Sequence, residues 1–254
     1  MSAGSITGFS ARSISWLAFY GLVLLAWATV FQMVRDQGTW ICGPGALRLL
    51  PLGGFWALMP MWVVMMAAMM LPTIVPALRV YHDLPVRAGA GPAGFAGLVG
   101  GYGSVWVIGS AGLAGAQVLA LNNGLIDLAG AAASPWLAAA LLTLAGVWQL
   151  TRTKALCQSA CLAPTTYFLA NWKPGAVGGY RMGVDIGVVC VGCCWAIMLL
   201  AFVGGVMSLL WMGLATLFMV AEKLPDIGRH VRRPAGAALL GAGMIVGFLA
   251  PGWV

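Results

Sequence analysis

From Phe55 to Leu78 the chain reads FWALMPMWVVMMAAMMLPTIVPAL, and no residue in that stretch carries a charge. It exceeds the roughly 20 apolar residues that a helix needs to cross the hydrocarbon core of a bilayer. In lipid every backbone N–H and C=O must be satisfied within the segment, which selects a helix. Further apolar runs fall at about 14–34, 96–121, 135–151, 182–201, 204–221 and 235–252. The expected fold is all-α: a polytopic transmembrane helix bundle of about seven spans. Residues 1–254 form a single integral membrane domain, with its motifs concentrated in 55–78 and 146–223. Only 7% of the residues are charged and 61% are hydrophobic, whereas a soluble domain needs about 25% charge to dress its surface. The first run is too long for a signal-peptide core, and its small-residue pair Ala26 and Ala28 lies inside it, so an uncleaved first span is expected.

A net charge of +7 invites comparison with nucleic-acid binders, but the basic residues sit between the apolar runs. With the N-terminus inside, the inner segments hold Arg12, Arg79, Arg87, Arg152, Lys154, Lys173, Arg181, Lys223, Arg229, Arg232 and Arg233, eleven of the thirteen basic residues. Arg35 and Arg48 remain outside. Such asymmetry orients a membrane protein, here N-terminus inside and C-terminus outside. The basicity therefore speaks for the lipid bilayer as partner and a bacterial cytoplasmic (inner) membrane as location, and against nucleic acid.

The chemistry concentrates in sulfur. Residues 187–198 read GVVCVGCCWAIM, and on a helix Cys190, Cys193 and Cys194 share one face, with Met198 a turn beyond. Gly183 and Gly187 continue that face and would let another helix approach closely. Free cysteine is also a small hydrophobe, so the patch alone fits packing as well as ligation. Residues 59–70, MPMWVVMMAAMM, supply a second cluster that includes Met65, Met66, Met69 and Met70. Alone, such a stripe fits adaptable packing better than ligation. Depth brings the two together: at 1.5 Å per residue the cysteines lie about 12–18 Å from the inner surface and Met65 to Met70 about 12–20 Å. Soft thiolate and thioether donors in one layer point to copper(I) first, and a cuprous ion with one or two thiolates carries little net charge, which suits lipid.

Cys157 and Cys161 stand at i, i+4 in the inner segment that begins TKALCQSACLAP, on an expected short helix ended by Pro164. They form a plausible two-coordinate arrival or departure site. No histidine lies near to complete a zinc tetrahedron, and His82 and His230 read as solvated loop residues. With Cys42 alone outside, a disulfide framework is not expected. Asp185, Glu222 and Lys223 read as capping or interfacial groups, although Glu222 continues the stripe Met207, Trp211, Phe218 and could carry a proton or help release a cation.

Three stretches, MWVVMMAAMMLPTIVP (61–76), GVWQLTRTKALCQSACLAPTTYFLANWKPG (146–175) and GVVCVGCCWAIMLLAFVGGVMSLLWMGLATLFMVAEK (187–223), resemble the family named domain of unknown function 2182. Its members are described as predicted metal-binding integral membrane proteins. The chain departs from the pattern at Arg152, Leu162 and Ser208. The resemblance implies metal binding at Met65, Met66, Met69, Met70, Cys157, Cys161, Cys190, Cys193 and Cys194.

Three functions remain open from the sequence. The first is a non-enzymatic copper(I)-handling protein that binds, delivers or moves copper and works with a cuproenzyme or copper chaperone. The second is an accessory subunit of a larger membrane complex, and the third a membrane thiol redox or sulfur-compound transport protein. No phosphate loop follows the Gly-rich stretch 89–103, so an ATP-driven pump is not expected.

Overall fold

The computed structural model describes residues 11–35, 54–83, 90–224 and 226–250, all in helices, turns and short connections; the sole β contact among them is an isolated bridge between Ile126 and Ala132. Cys42, Arg48 and Arg87 lie outside the described residues. The helices are α1 (Ala11–Arg35), α2 (Gly54–Met70), α3 (Val75–Asp83), α4 (Pro92–Asn122), α5 (Pro135–Leu150), α6 (Arg152–Leu162), α7 (Pro164–Asn171), α8 (Gly175–Leu199), α9 (Ala201–Gly204), α10 (Leu209–Glu222) and α11 (Gly228–Leu249). Four segments are long and apolar enough to cross a membrane: Ser13–Arg35, Gly54–Asp83, Pro92–Asn122 and Gly175–Gly204. Pro135–Leu150 and Leu209–Glu222 are shorter apolar helices. Large side chains on the outer faces, such as Leu210 (74% exposed) and Phe248 (83% exposed), form an apolar exterior that water would not tolerate over so large an area.

Small residues decide which helices meet. Gly94, Gly97 and Gly101 of α4 face Gly179 and Gly183 of α8, and a Cβ at any of the five would strike the facing backbone or, at Gly94, the Tyr81 hydroxyl. The close approach expected at Gly183 is therefore present, with α4 as the partner. Lipid gives little hydrophobic drive between helices, so such backbone proximity is a main source of association. A second pair forms the same way. Gly146 of α5 meets Gly236 and Leu240 of α11, and Gly243 of α11 meets Thr143 and Ala139 of α5. Helix α2 packs on α4 and α1, while α6 lies across α8.

Two breaks shape the interior. Pro72 and Pro76 cannot donate to the helix ladder, and between α2 and α3 the chain tightens into the 3-10 turn Leu71–Ile74, which carries Thr73 into the core. After α9 the chain reverses at Gly205, whose φ of 86° lies in the region glycine enters freely. The helix expected from Lys154 to Leu162 begins slightly earlier, at Arg152, capped by the Thr151 side chain.

The expectation for the charged residues needs correction. Lys154 and Lys223, counted among the inner segments, are buried, as is Glu222, so none of the three is a solvated surface group.

Candidate metal centre

Helix α8 carries the sulfur patch into the core. Cys190, Cys193 and Cys194 are all buried, and their three Sγ atoms lie within 4.8 Å of one another. The Cys193 and Cys194 sulfurs are 3.4 Å apart, and Cys193 donates to the Cys190 carbonyl at 3.2 Å. All three are free thiols, as are Cys157 and Cys161. Metal–thiolate bonds of about 2.3 Å let one ion bridge sulfurs up to about 4.6 Å apart. The trio is thus close to the spacing a single soft ion requires, before any side chain turns.

Cys190 has the most elaborate surroundings. Lys223 Nζ, at the end of α10, donates to Cys190 Sγ at 2.6 Å and to Thr73 Oγ1 at 3.0 Å. The Tyr102 hydroxyl, from α4, lies 3.0 Å from the same sulfur and 2.8 Å from Thr73 Oγ1. Thr73 and Tyr102 both bond the Met70 carbonyl, at 2.8 and 3.1 Å. Four segments therefore converge on one thiol: the 3-10 turn, α4, α8 and α10. The break after Met70 makes this possible, because the tightened turn sets the Thr73 hydroxyl, with that of Tyr102, against the Met70 carbonyl.

The neighbouring Glu222 points to a different cluster. It takes a hydrogen bond from Lys154 Nζ at 2.8 Å and another from Gln149 Nε2 at 3.0 Å. Lys154 also donates to the Cys193 carbonyl, and Gln158 bonds the carbonyls of Glu222 and Gly228, each at 2.9 Å. Lys154 and Glu222 are 0% and 3% exposed at their side chains, a neutralised ion pair inside the bundle. The pair fastens α5, α6 and α10 to the backbone of α8 at the cysteines.

The structure separates the two cysteines of α6. Cys161 lines a small cleft together with Thr73, Tyr102 and Lys223, the groups around Cys190. Cys157 instead packs its sulfur on Gly192, where a Cβ would sit 3.0 Å from it. Met65, Met66, Met69, Met70 and Met198 are all buried. The tie between the methionine-rich helix and the thiols runs through the Met70 carbonyl, Thr73 and Tyr102. Sequence reasoning gave no role to Tyr102, Lys154 or Gln149 and set Lys223 aside. Its usable signal was the pair Glu222–Lys223 at the end of an apolar run, since ionisable groups in a membrane span are costly and mark function.

Residues 59–246 of the 254 match the family PpoB2, described as a copper chaperone. The chain belongs to that family. Copper association thus has support separate from the donor set, and three clustered thiols are the ligands a cuprous ion favours. No curated protein and no solved structure matches the chain.

Proposed function

We propose that the protein is an integral membrane copper(I) chaperone that carries a cuprous ion as cargo on Cys190, Cys193 and Cys194. The observation that carries this reading is the enclosure of three free sulfurs within 4.8 Å of one another in a chain of copper-chaperone kinship. Charge supports it. A cuprous ion on two thiolates has a net charge of −1, and the Lys223 ammonium beside Cys190 balances it, so the loaded site is neutral where a bare charge would cost several kcal/mol. Met70 and Met198 lie in the same buried interior and could supply thioether donors as the ion arrives or leaves.

The four long apolar helices, with α5, α10 and α11, give seven spans, N-terminus inside and C-terminus outside, in a bacterial cytoplasmic membrane. The charge asymmetry supports that orientation. The three motif stretches that resemble domain of unknown function 2182 all lie within the matched residues 59–246, and we take the two families to be one. Copper is cargo here rather than a cofactor of catalysis, so the protein is a carrier and not an enzyme. Its partner is a protein that receives copper.

Elemental analysis of detergent-purified protein, expressed with copper and kept reduced, tests the reading beside a Cys190/Cys193/Cys194→Ser triple variant. About one copper per chain is expected in the parent and almost none in the variant. A copper-free parent that is well folded would sink the proposal.

A further inference from the structure

Beside the cluster lies a small cleft lined by Thr73 and Ala77 on one side, Tyr102 and Val189 behind, and Cys161 and Tyr167 on the α6–α7 side, with Lys223 at its floor. It offers about 30 Å³ to a water-sized occupant, which is room for one or two waters. Ala160, exposed and also in the lining, marks its mouth. Across that mouth the Tyr167 hydroxyl bonds Asp185 at 3.2 Å, joining α7 to α8.

Two features give the cleft a direction. Its lining includes Lys223, Thr73 and Tyr102, the three groups that surround the Cys190 sulfur. Its lining also holds Cys161, while Cys157 on the same helix is turned onto Gly192. A thiol thus stands between the outside of the bundle and the enclosed trio. The size matters as much as the donors. Room for a water or two admits a bare ion but not a copper complex that keeps a peptide-sized ligand.

We infer that this cleft is the loading portal of the cluster, at which a small thiol donor held at the mouth hands a cuprous ion to Cys161, which passes it to the enclosed trio. The inference rests on the copper reading above. The transfer is ligand exchange without change of oxidation state. The copper–sulfur bond to Cys161 forms as the bond to the donor sulfur breaks, and the Cys161 proton leaves on the released donor thiol. The second exchange repeats this with a thiol of the trio, whose proton returns to Cys161. Cys161 is a transfer ligand and not part of the resting site, so removing it should change the rate of filling and not the capacity.

The test uses full-length, copper-stripped, reduced protein in detergent, mixed rapidly with cuprous ion held by excess glutathione. Loading rate and final copper per chain are read for the parent, Cys161→Ser, Ala160→Trp and, as a control on the outer face of α6, Leu156→Ala. Loading should slow at least roughly tenfold in Cys161→Ser, the scale of losing one positioned reacting group, with final copper unchanged. Ala160→Trp should slow it too, although no sulfur is removed, and Leu156→Ala should match the parent. Parental rates in Cys161→Ser would overturn the portal while leaving the copper reading intact. A lower final copper in that variant would also overturn it, because Cys161 would then be a resident ligand. A parent that takes up no copper would end both readings together.

Discussion

Glu222 and Lys223 are adjacent in the chain and both buried, yet they serve two different sites. Glu222 meets an ammonium, Lys154, and the two charges cancel. Lys223 meets the Cys190 sulfur and the Thr73 hydroxyl, and among the described residues no carboxylate lies within ion-pair distance of it. One site is closed by a carboxylate, and in the other the ammonium faces the Cys190 sulfur instead. The first has the character of a fastener, and the second that of a place prepared for an anionic cluster, which a cuprous ion on two thiolates would supply.

The difference can be broken or sharpened by substitution, and the largest effect belongs to the complete pair. Glu222→Gln leaves Lys154 buried without a counter-charge, and it should destabilise the fold by about 3–5 kcal/mol. A lower thermal unfolding midpoint in detergent would report it. Lys223→Met removes a cation that has no acidic partner and should not produce a comparable fall. If the two variants lost stability equally, the contrast between the sites would be wrong.

Copper reads the other side of the comparison. Lys223→Met should weaken cuprous ion binding at least roughly tenfold in competition with a chelator, because the loaded cluster loses its counter-charge in a medium that screens poorly. A double change, Lys154→Met with Glu222→Gln, should recover most of the stability lost in Glu222→Gln alone, since no uncompensated ion remains. Its copper affinity should stay nearer the parent's than that of Lys223→Met.

Smaller effects are expected from the methionines and from the outer cysteine. Met65, Met66, Met69 and Met70 replaced together by Leu keep volume and apolarity, and each such exchange costs under about 1.5 kcal/mol. Final copper should fall far less than in the triple serine variant. A loss as complete as that one would promote the methionines to principal ligands. Cys157→Ser should slow loading less than Cys161→Ser, because its sulfur packs on Gly192 and does not line the cleft.

Much of the candidate site was legible before any coordinates. Cys190, Cys193 and Cys194 fall at spacings that a helix must place on one face, and the small residues at 183 and 187 announced a close neighbour. Local geometry carries such facts, so periodicity suffices. The identity of the neighbour was not legible, because any glycine-bearing face could have answered. The split between Cys157 and Cys161 was hidden for a related reason. At i, i+4 they share a face of α6, and only the packing of α6 against its neighbours sets one residue in the cleft and the other's sulfur on Gly192. Sign counting also misread Lys154 and Lys223. It treats every lysine as solvated, and it cannot see a buried partner supplied from about 70 or 30 residues away.

By itself the sequence determined the helical class, the presence of segments apolar enough to cross a membrane, and a soft-donor face, since hydrophobicity and helical period are properties of single segments. Tertiary structure alone decided which groups surround the thiols. Thr73, Tyr102 and Lys223 come from three segments far apart in the chain, and they meet at Cys190 only because Pro72 breaks one helix and glycines let α4 and α8 touch. The electrostatic character of the site belongs to that meeting. A charge in a bundle is defined by what faces it, and facing is a property of packing.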